Sequence, residues 1–348
     1  MQVITSLDEL DAKIAECNDA HASQSDDAMR RLFQTFRMDF SSQMPSDPFS
    51  QEYRAFQISL YERIAGKKYS LENERTKFDL AALISRPFPY NTRSCTTTGY
   101  HLTAIGFMLR ALDLPPGARI IEFGAGWGNT TLSLALLGMR VTSVDIEPNF
   151  CEVIRSRAAQ HAVDIEVIQG DFFHAETVTE PYDAALFFEC FHHCDDHMRL
   201  LRALHTAVKP DGKVVIASEP ILSNYPVPWG LRVDGEALWA IRNFGWLELG
   251  YDESYFRTAV ARAGWAVTKH ACPDPDWAGV WELRRAEPGE ARETAEAPVQ
   301  VLPEAAAPEP PGRGEAEALV RELEAVYRST SWRLTAPLRG LKRLLSPG

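Results

Sequence analysis

The chain has 348 residues and a formal net charge of -12, from 36 Lys and Arg against 48 Asp and Glu. Its 45% hydrophobic and 24% charged content is ordinary globular usage. That excludes collagen-like, wholly disordered and disulfide-scaffold classes, and the length suffices for a sizeable core. So acidic a chain is a poor nucleic-acid binder, because phosphate contacts need clustered Lys and Arg. Six cysteines spread over this length read as reduced thiols. The N-terminal MQVITSLDELDAKIAEC has neither the basic nor the apolar region of a secretory signal. No run approaches the roughly 18 apolar residues of a membrane span. A cytoplasmic location is expected.

In chain order, residues 1–112 read as a helical N-terminal cap, with Phe56, Leu60, Tyr61 and Ile64 at helical spacing. A proline-containing polar loop from Arg86 to Gly99 interrupts it. Residues 113–285 alternate apolar runs (Arg119–Phe123, Arg140–Val144, Ile165–Ile168, Ala184–Phe188, Lys213–Ala217) with helical segments (Thr130–Leu137, Phe150–His161, Asp196–Val208). This rhythm predicts an α/β fold, a Rossmann-like, doubly wound, mostly parallel sheet. An aromatic insert, residues 221–250, reads as an acceptor lid. A helix (Glu253–Ala263) and strands near Ala266–His270 and Gly279–Leu283 follow it. Residues 286–314 hold six prolines, six glutamates and no aromatic residue, and read as a disordered linker. Residues 315–348 resume a helical pattern that ends as a basic amphipathic helix.

The run ARIIEFGAGWGNTT places Gly124, Ala125, Gly126 and Gly128 at a strand-to-helix turn, where glycine lets backbone approach a ligand. A dinucleotide fingerprint would need glycine where Asn129 stands, which disfavours a nicotinamide dehydrogenase. The next strand ends in Asp145, followed by Ile146, and the third runs into Gly170-Asp171-Phe172. An acid at the second strand's tip suits ribose hydroxyls; one after the third suits an adenine amine, with aromatic neighbours to stack. Alone, either acid reads as a cap or turn residue. At successive strand ends they line one crevice.

The order EFGAGWGNTT, VDIEP, GDFF, FFECFHH and HTAVKPDGKVVIASEP resembles the class I S-adenosylmethionine-dependent methyltransferases over about residues 113–285. The resemblance implies a seven-stranded sheet with an antiparallel final strand and S-adenosylmethionine over the glycine turn. By the same resemblance, Glu122, Gly124, Gly126 and Gly128 surround the methionine part, Asp145 holds the ribose and Asp171 the adenine. It also sets Glu189-Cys190-Phe191-His192-His193 beside the methyl group. Histidine suits the general base for a hydroxyl acceptor, so His193 or His192 is the candidate, His193 preferred, with Glu189 orienting it or meeting the cofactor amine.

Cys190, His192, His193, Cys194, Asp195 and His197 are rich in metal ligands, yet no second ligand pair accompanies them. A divalent metal is not favoured. Candidate acceptor contacts are Tyr90, Arg93, Tyr100 and His101 from the segment 87–101, and Arg232 and Asp234 from the insert. Trp239 and Trp246 read as the lid's own filling. Aromatic faces interleaved with Arg and Asp suit a sugar ring.

Residues 326–348 carry five basic side chains and no acid, while residues 286–325 hold ten glutamates and three arginines. The basic foot suits an anionic membrane face or a partner. YRSTSWRLTAPLRGLKRLL also resembles a short segment of bacterial surface-polysaccharide glycosyltransferases and methyltransferases. The expectation is an O-methyltransferase of a sugar hydroxyl, with a peripheral membrane or glycosyltransferase contact through residues 326–348. The alternatives are a small-molecule O-, N- or C-methyltransferase of secondary metabolism, or a non-catalytic cofactor-binding scaffold.

Overall fold

The computed structural model describes residues 1–22, 26–75 and 84–287. All but the first two residues of the expected linker, and the whole expected C-terminal helix, lie outside them.

Seven strands form the central sheet: β3 (Arg119–Phe123), β4 (Arg140–Asp145), β5 (Ile165–Gln169), β6 (Tyr182–Phe188), β7 (Val208–Ala217), β11 (Trp265–His270) and β12 (Val280–Arg285). Their order is β11-β12-β7-β6-β3-β4-β5, and only β12 runs against its neighbours. This is the doubly wound, mostly parallel sheet the sequence predicts. The chain reverses direction across the sheet between β3 and β6, which opens a crevice beyond the strands' C-terminal ends.

Strand alternation sends side chains to two cores. Ile121, Phe123, Phe187 and Ile216 pack on one face; Ile120, Leu186, Val215 and Ala217 pack on the other with Met108, Leu112 and Leu134. Local chemistry sets the helix ends. Ser50 accepts the Tyr53 N–H at the start of Gln51–Ala65. Ser94 accepts the Thr97 N–H at the start of Cys95–Leu112. Glu147 caps Pro148–His161, whose proline occupies a position that needs no N–H.

Two features differ from the sequence reading. The N-terminal region is not wholly helical, since β1 (Gln2–Val3) pairs in parallel with β2 (Phe36–Arg37). The insert is not a free lid. It forms a three-stranded sheet, β8 (Ile221–Leu222), β10 (Leu249–Asp252) and β9 (Trp229–Leu231), with β10 central. The N-terminal region clamps it: the Tyr53 hydroxyl donates to the Trp229 carbonyl at 2.7 Å, and Gln57 Oε1 accepts the Leu231 N–H at 2.9 Å. No helix among the described residues is long and apolar enough to cross a membrane.

Candidate active site

The crevice holds a cavity of about 350 Å³. Its floor is the turn after β3. Gly124 sits at φ +62°, and a Cβ there would lie 2.8 Å from Cys190 Cβ. Gly128 sits at φ +69°, with Ile154 Cγ1 2.6 Å from where a Cβ would stand. Both positions therefore need glycine twice over, for backbone angle and for space.

Asp145 ties this turn to the next strand. Its Oδ2 accepts the Gly126 N–H and its Oδ1 the Glu147 N–H, each at 2.8 Å. Burial pushes its pKa up to about 6, against the lowering effect of those two N–H groups. Asp171 caps the turn after β5 by accepting the Phe173 N–H at 2.8 Å. Gly124, Ala125, Gly126, Asp145 and Ile146 line the cavity, as do Asp171, Phe172, Glu189, His101 and His193. These residues, singled out from five separate segments, share one space.

Other candidates stand elsewhere, for identifiable reasons. Glu122 lies beneath the turn, fully buried, accepting the Thr130 and Thr131 hydroxyls. It braces the glycine turn and does not line the cavity. Burial drives its pKa up to about 7. Gly128 likewise packs under the turn. Tyr90, Arg93 and Tyr100 are exposed on the outer side of their segment and do not reach the cavity. Asp234 instead caps the helix Gly235–Asn243, accepting the Ala237 N–H at 3.1 Å. Arg232 is held by Asp234, Glu236 and Glu248. His192 is buried behind the cavity wall.

Sequence reasoning missed several lining residues. Glu147, Trp127 and Phe150 join the cofactor side, with the last two rings in edge contact at 4.9 Å. Tyr69, Glu74, Phe88 and Trp246 line the cavity from elements distant in sequence. Trp246, read as lid filling, stacks on Phe244 and still reaches the space.

The expected base has suitable geometry. His193 Nδ1 lies 2.9 Å from the Leu247 carbonyl oxygen. A carbonyl only accepts, so Nδ1 carries the hydrogen and Nε2 keeps its lone pair. Burial, then the neighbouring His192, pulls the His193 pKa down to about 4. The ring is neutral at pH 7. Across the cavity His101 Nδ1 stands 3.5 Å from Glu189 Oε2, and Glu189 occupies a strained φ of +53°.

The ligand-rich segment does not converge on one centre. Cys190 Sγ donates to the Phe123 carbonyl, His197 Nε2 pairs with the Tyr255 hydroxyl, and Asp195 is bound by Arg54. His192, His193 and Glu248 do approach one another, but both ring nitrogens of His192 face carboxylates, which a protonated ring satisfies without an ion.

The lining tests the cofactor's chemistry. It holds six carboxyl groups, two of which (Glu74 and Glu189) have their pKa pushed up to about 8 by burial, and, among the described residues, no Lys or Arg. A pyrophosphate would find no counter-charge there, whereas a sulfonium would. Acids at two successive strand ends suit a nucleoside.

Residues 121–216 match the methyltransferase domain family. The chain contains a class I S-adenosylmethionine-dependent methyltransferase domain. The ubiquinone biosynthesis O-methyltransferase of Xanthomonas oryzae pv. oryzae (strain PXO99A) is 30% identical over 132 residues, 38% of this chain and 54% of that protein. The chain thus spans about half the length of this relative. Among solved structures, the 1,6-didemethyltoxoflavin-N1-methyltransferase of Burkholderia thailandensis, with S-adenosylhomocysteine bound, is 19% identical with a TM-score of 0.41, over 61% of this chain and 94% of that one. An S-adenosylmethionine-dependent methyltransferase from Mesorhizobium loti is 22% identical with a TM-score of 0.43, over 52% and 98% respectively.

Proposed function

We propose that the protein transfers a methyl group from S-adenosylmethionine to a hydroxyl of a ring-shaped acceptor, with a sugar as the preferred class. The observation that carries this reading is the neutral His193, its Nδ1–H fixed on Leu247, in the same cavity as Asp145, Asp171 and the glycine turn. When bound, the cofactor would supply an electrophilic methyl on a sulfonium, with the neutral thioether as the leaving group. His193 Nε2 would take the proton that the acceptor's hydroxyl gives up on methylation. Positioning supplies most of the remaining acceleration.

Tyr69, Phe88 and Trp246 offer flat apolar faces for a ring's C–H side, and Glu74 and Asp195 offer acceptors for its hydroxyls. The same walls suit a planar aromatic acceptor, the second reading, in line with the 30% identical relative's name. The composition of residues 326–348 supports docking at an anionic membrane face or on a glycosyltransferase, where lipid-carried glycans would be met.

The test is incubation of the full chain with labelled S-adenosylmethionine and host extract, followed by mass spectrometry of the labelled product. An O-methylated sugar supports the preferred class, and an O-methylated aromatic ring supports the second. Cofactor binding without any labelled product would favour the non-catalytic scaffold.

A further inference from the structure

Behind the cavity wall lies a buried charge chain that the proposed transfer does not itself use. Glu219, fully buried, accepts three consecutive backbone N–H groups, from Cys190 and Phe191 at 2.8 Å and His192 at 3.1 Å. It also lies 2.6 Å from His192 Nδ1. One carboxylate thus fastens both the turn that carries His193 and the ring beside it. The other ring nitrogen, Nε2, faces Glu248 Oε2 at 3.5 Å, and Glu248 in turn lies 3.6 Å from Arg232 Nη1. The His192 and His193 rings are 4.2 Å apart, centre to centre.

We propose that His192 is a positioning residue, a permanently protonated imidazolium held between Glu219 and Glu248 whose charge keeps the adjoining His193 neutral and available as the base. Two carboxylates facing both ring nitrogens demand a donor at each, which only the protonated ring provides. Its charge then opposes a second proton 4.2 Å away. Burial alone would strip the His192 proton, but Glu219 and Glu248 override it and raise its pKa, while the pKa values of both acids move down. The charged and titratable groups around the pair are Glu219 just after β7, Glu248 from the insert, and Glu74, 3.5 Å from His193 Nδ1. Glu189 also couples to His192. Arg232, read from sequence as an acceptor contact, becomes the outer anchor of this chain.

The inference rests on His193 being the base, but its test does not need turnover. The full chain, labelled with ¹³C at histidine Cε1 and saturated with S-adenosylhomocysteine, is titrated by NMR from pH 3 to pH 9 in the presence of EDTA. His192→Gln and His193→Gln assign the two resonances. The expected result is a His192 signal at the imidazolium position throughout and a His193 signal that stays neutral down to about pH 5 and protonates near pH 4. In His192→Gln the His193 midpoint should rise by a tenfold or greater gain in proton affinity. The inference is overturned if His192 titrates below pH 7, if the His193 midpoint is unmoved in His192→Gln, or if zinc added without EDTA shifts both signals at stoichiometric levels. Should His192→Gln fail to fold, Glu248→Gln serves: it should lower the His192 midpoint, and an unchanged His192 signal would contradict the proposed hold. Failure of the methyltransferase reading would appear separately, as loss of S-adenosylhomocysteine binding.

Discussion

Asp145 is where the cofactor reading and the fold meet, so its removal has a calculable double effect. Its two oxygens satisfy the Gly126 and Glu147 N–H groups at 2.8 Å in a site it leaves only 5% exposed. Asp145→Ala strands both donors, at about 1–3 kcal/mol each for a buried unpaired group. A stability loss of about 2–6 kcal/mol is expected. The variant also loses a charged acceptor for the ribose hydroxyls, and a hydrogen bond to a charged group contributes about 1.5–3 kcal/mol, or roughly 10- to 150-fold in affinity. Asp145→Asn keeps one acceptor oxygen and the volume, so its stability loss should be about half as large while most of the affinity loss remains. Calorimetric titration with S-adenosylhomocysteine, run beside thermal unfolding, separates the two effects. Binding by folded Asp145→Ala within threefold of wild type would refute the reasoning. The pH dependence follows from the same group. The free protein's Asp145 has its pKa raised to about 6, and ribose hydroxyls donate to the ionised form. As pH falls through 6 the acid protonates and binding must displace that proton, so affinity should drop roughly tenfold between pH 7 and pH 5.

Gly128→Ala must accommodate a Cβ 2.6 Å from Ile154 Cγ1 at a left-handed φ. About 2–4 kcal/mol of destabilisation is expected, read as a lowered Tm in differential scanning calorimetry; an unchanged Tm would mean the helix shifts freely. His193→Ala should lower kcat by about 10²- to 10⁴-fold while leaving S-adenosylhomocysteine affinity within a few fold, and a kcat within threefold of wild type would remove His193 from the base role. Glu219→Gln should lose about 3–5 kcal/mol of stability, because it leaves the buried His192 cation without its nearest carboxylate; chemical denaturation midpoints measure this.

The sheet was legible because buried strands and their intervening helices impose different periods, and Arg119–Phe123 is a strand with the bounds the sequence predicts. The cofactor side was legible because one chain segment after another delivers its chemistry at a strand's end. The acceptor side was not. Glu74, Phe88 and Trp246 converge from segments 14 residues or more apart, and nothing local marks their approach. Asp234 shows the opposite limit: residue type suggested a ligand contact, but position before Gly235–Asn243 made it a helix cap. That signal was present, since Asp followed by a helical run favours capping. Glu219 was hidden because the three residues it fastens, Cys190, Phe191 and His192, lie 27 to 29 positions earlier.

The most direct test of the account is a crystal structure of the full chain with S-adenosylhomocysteine. The ribose hydroxyls are expected on Asp145, the adenine beside Asp171 and Phe172, and the sulfur facing the wall that carries Glu189 and His193. A nucleoside bound outside this crevice, or one whose sulfur is turned away from that wall, would contradict it.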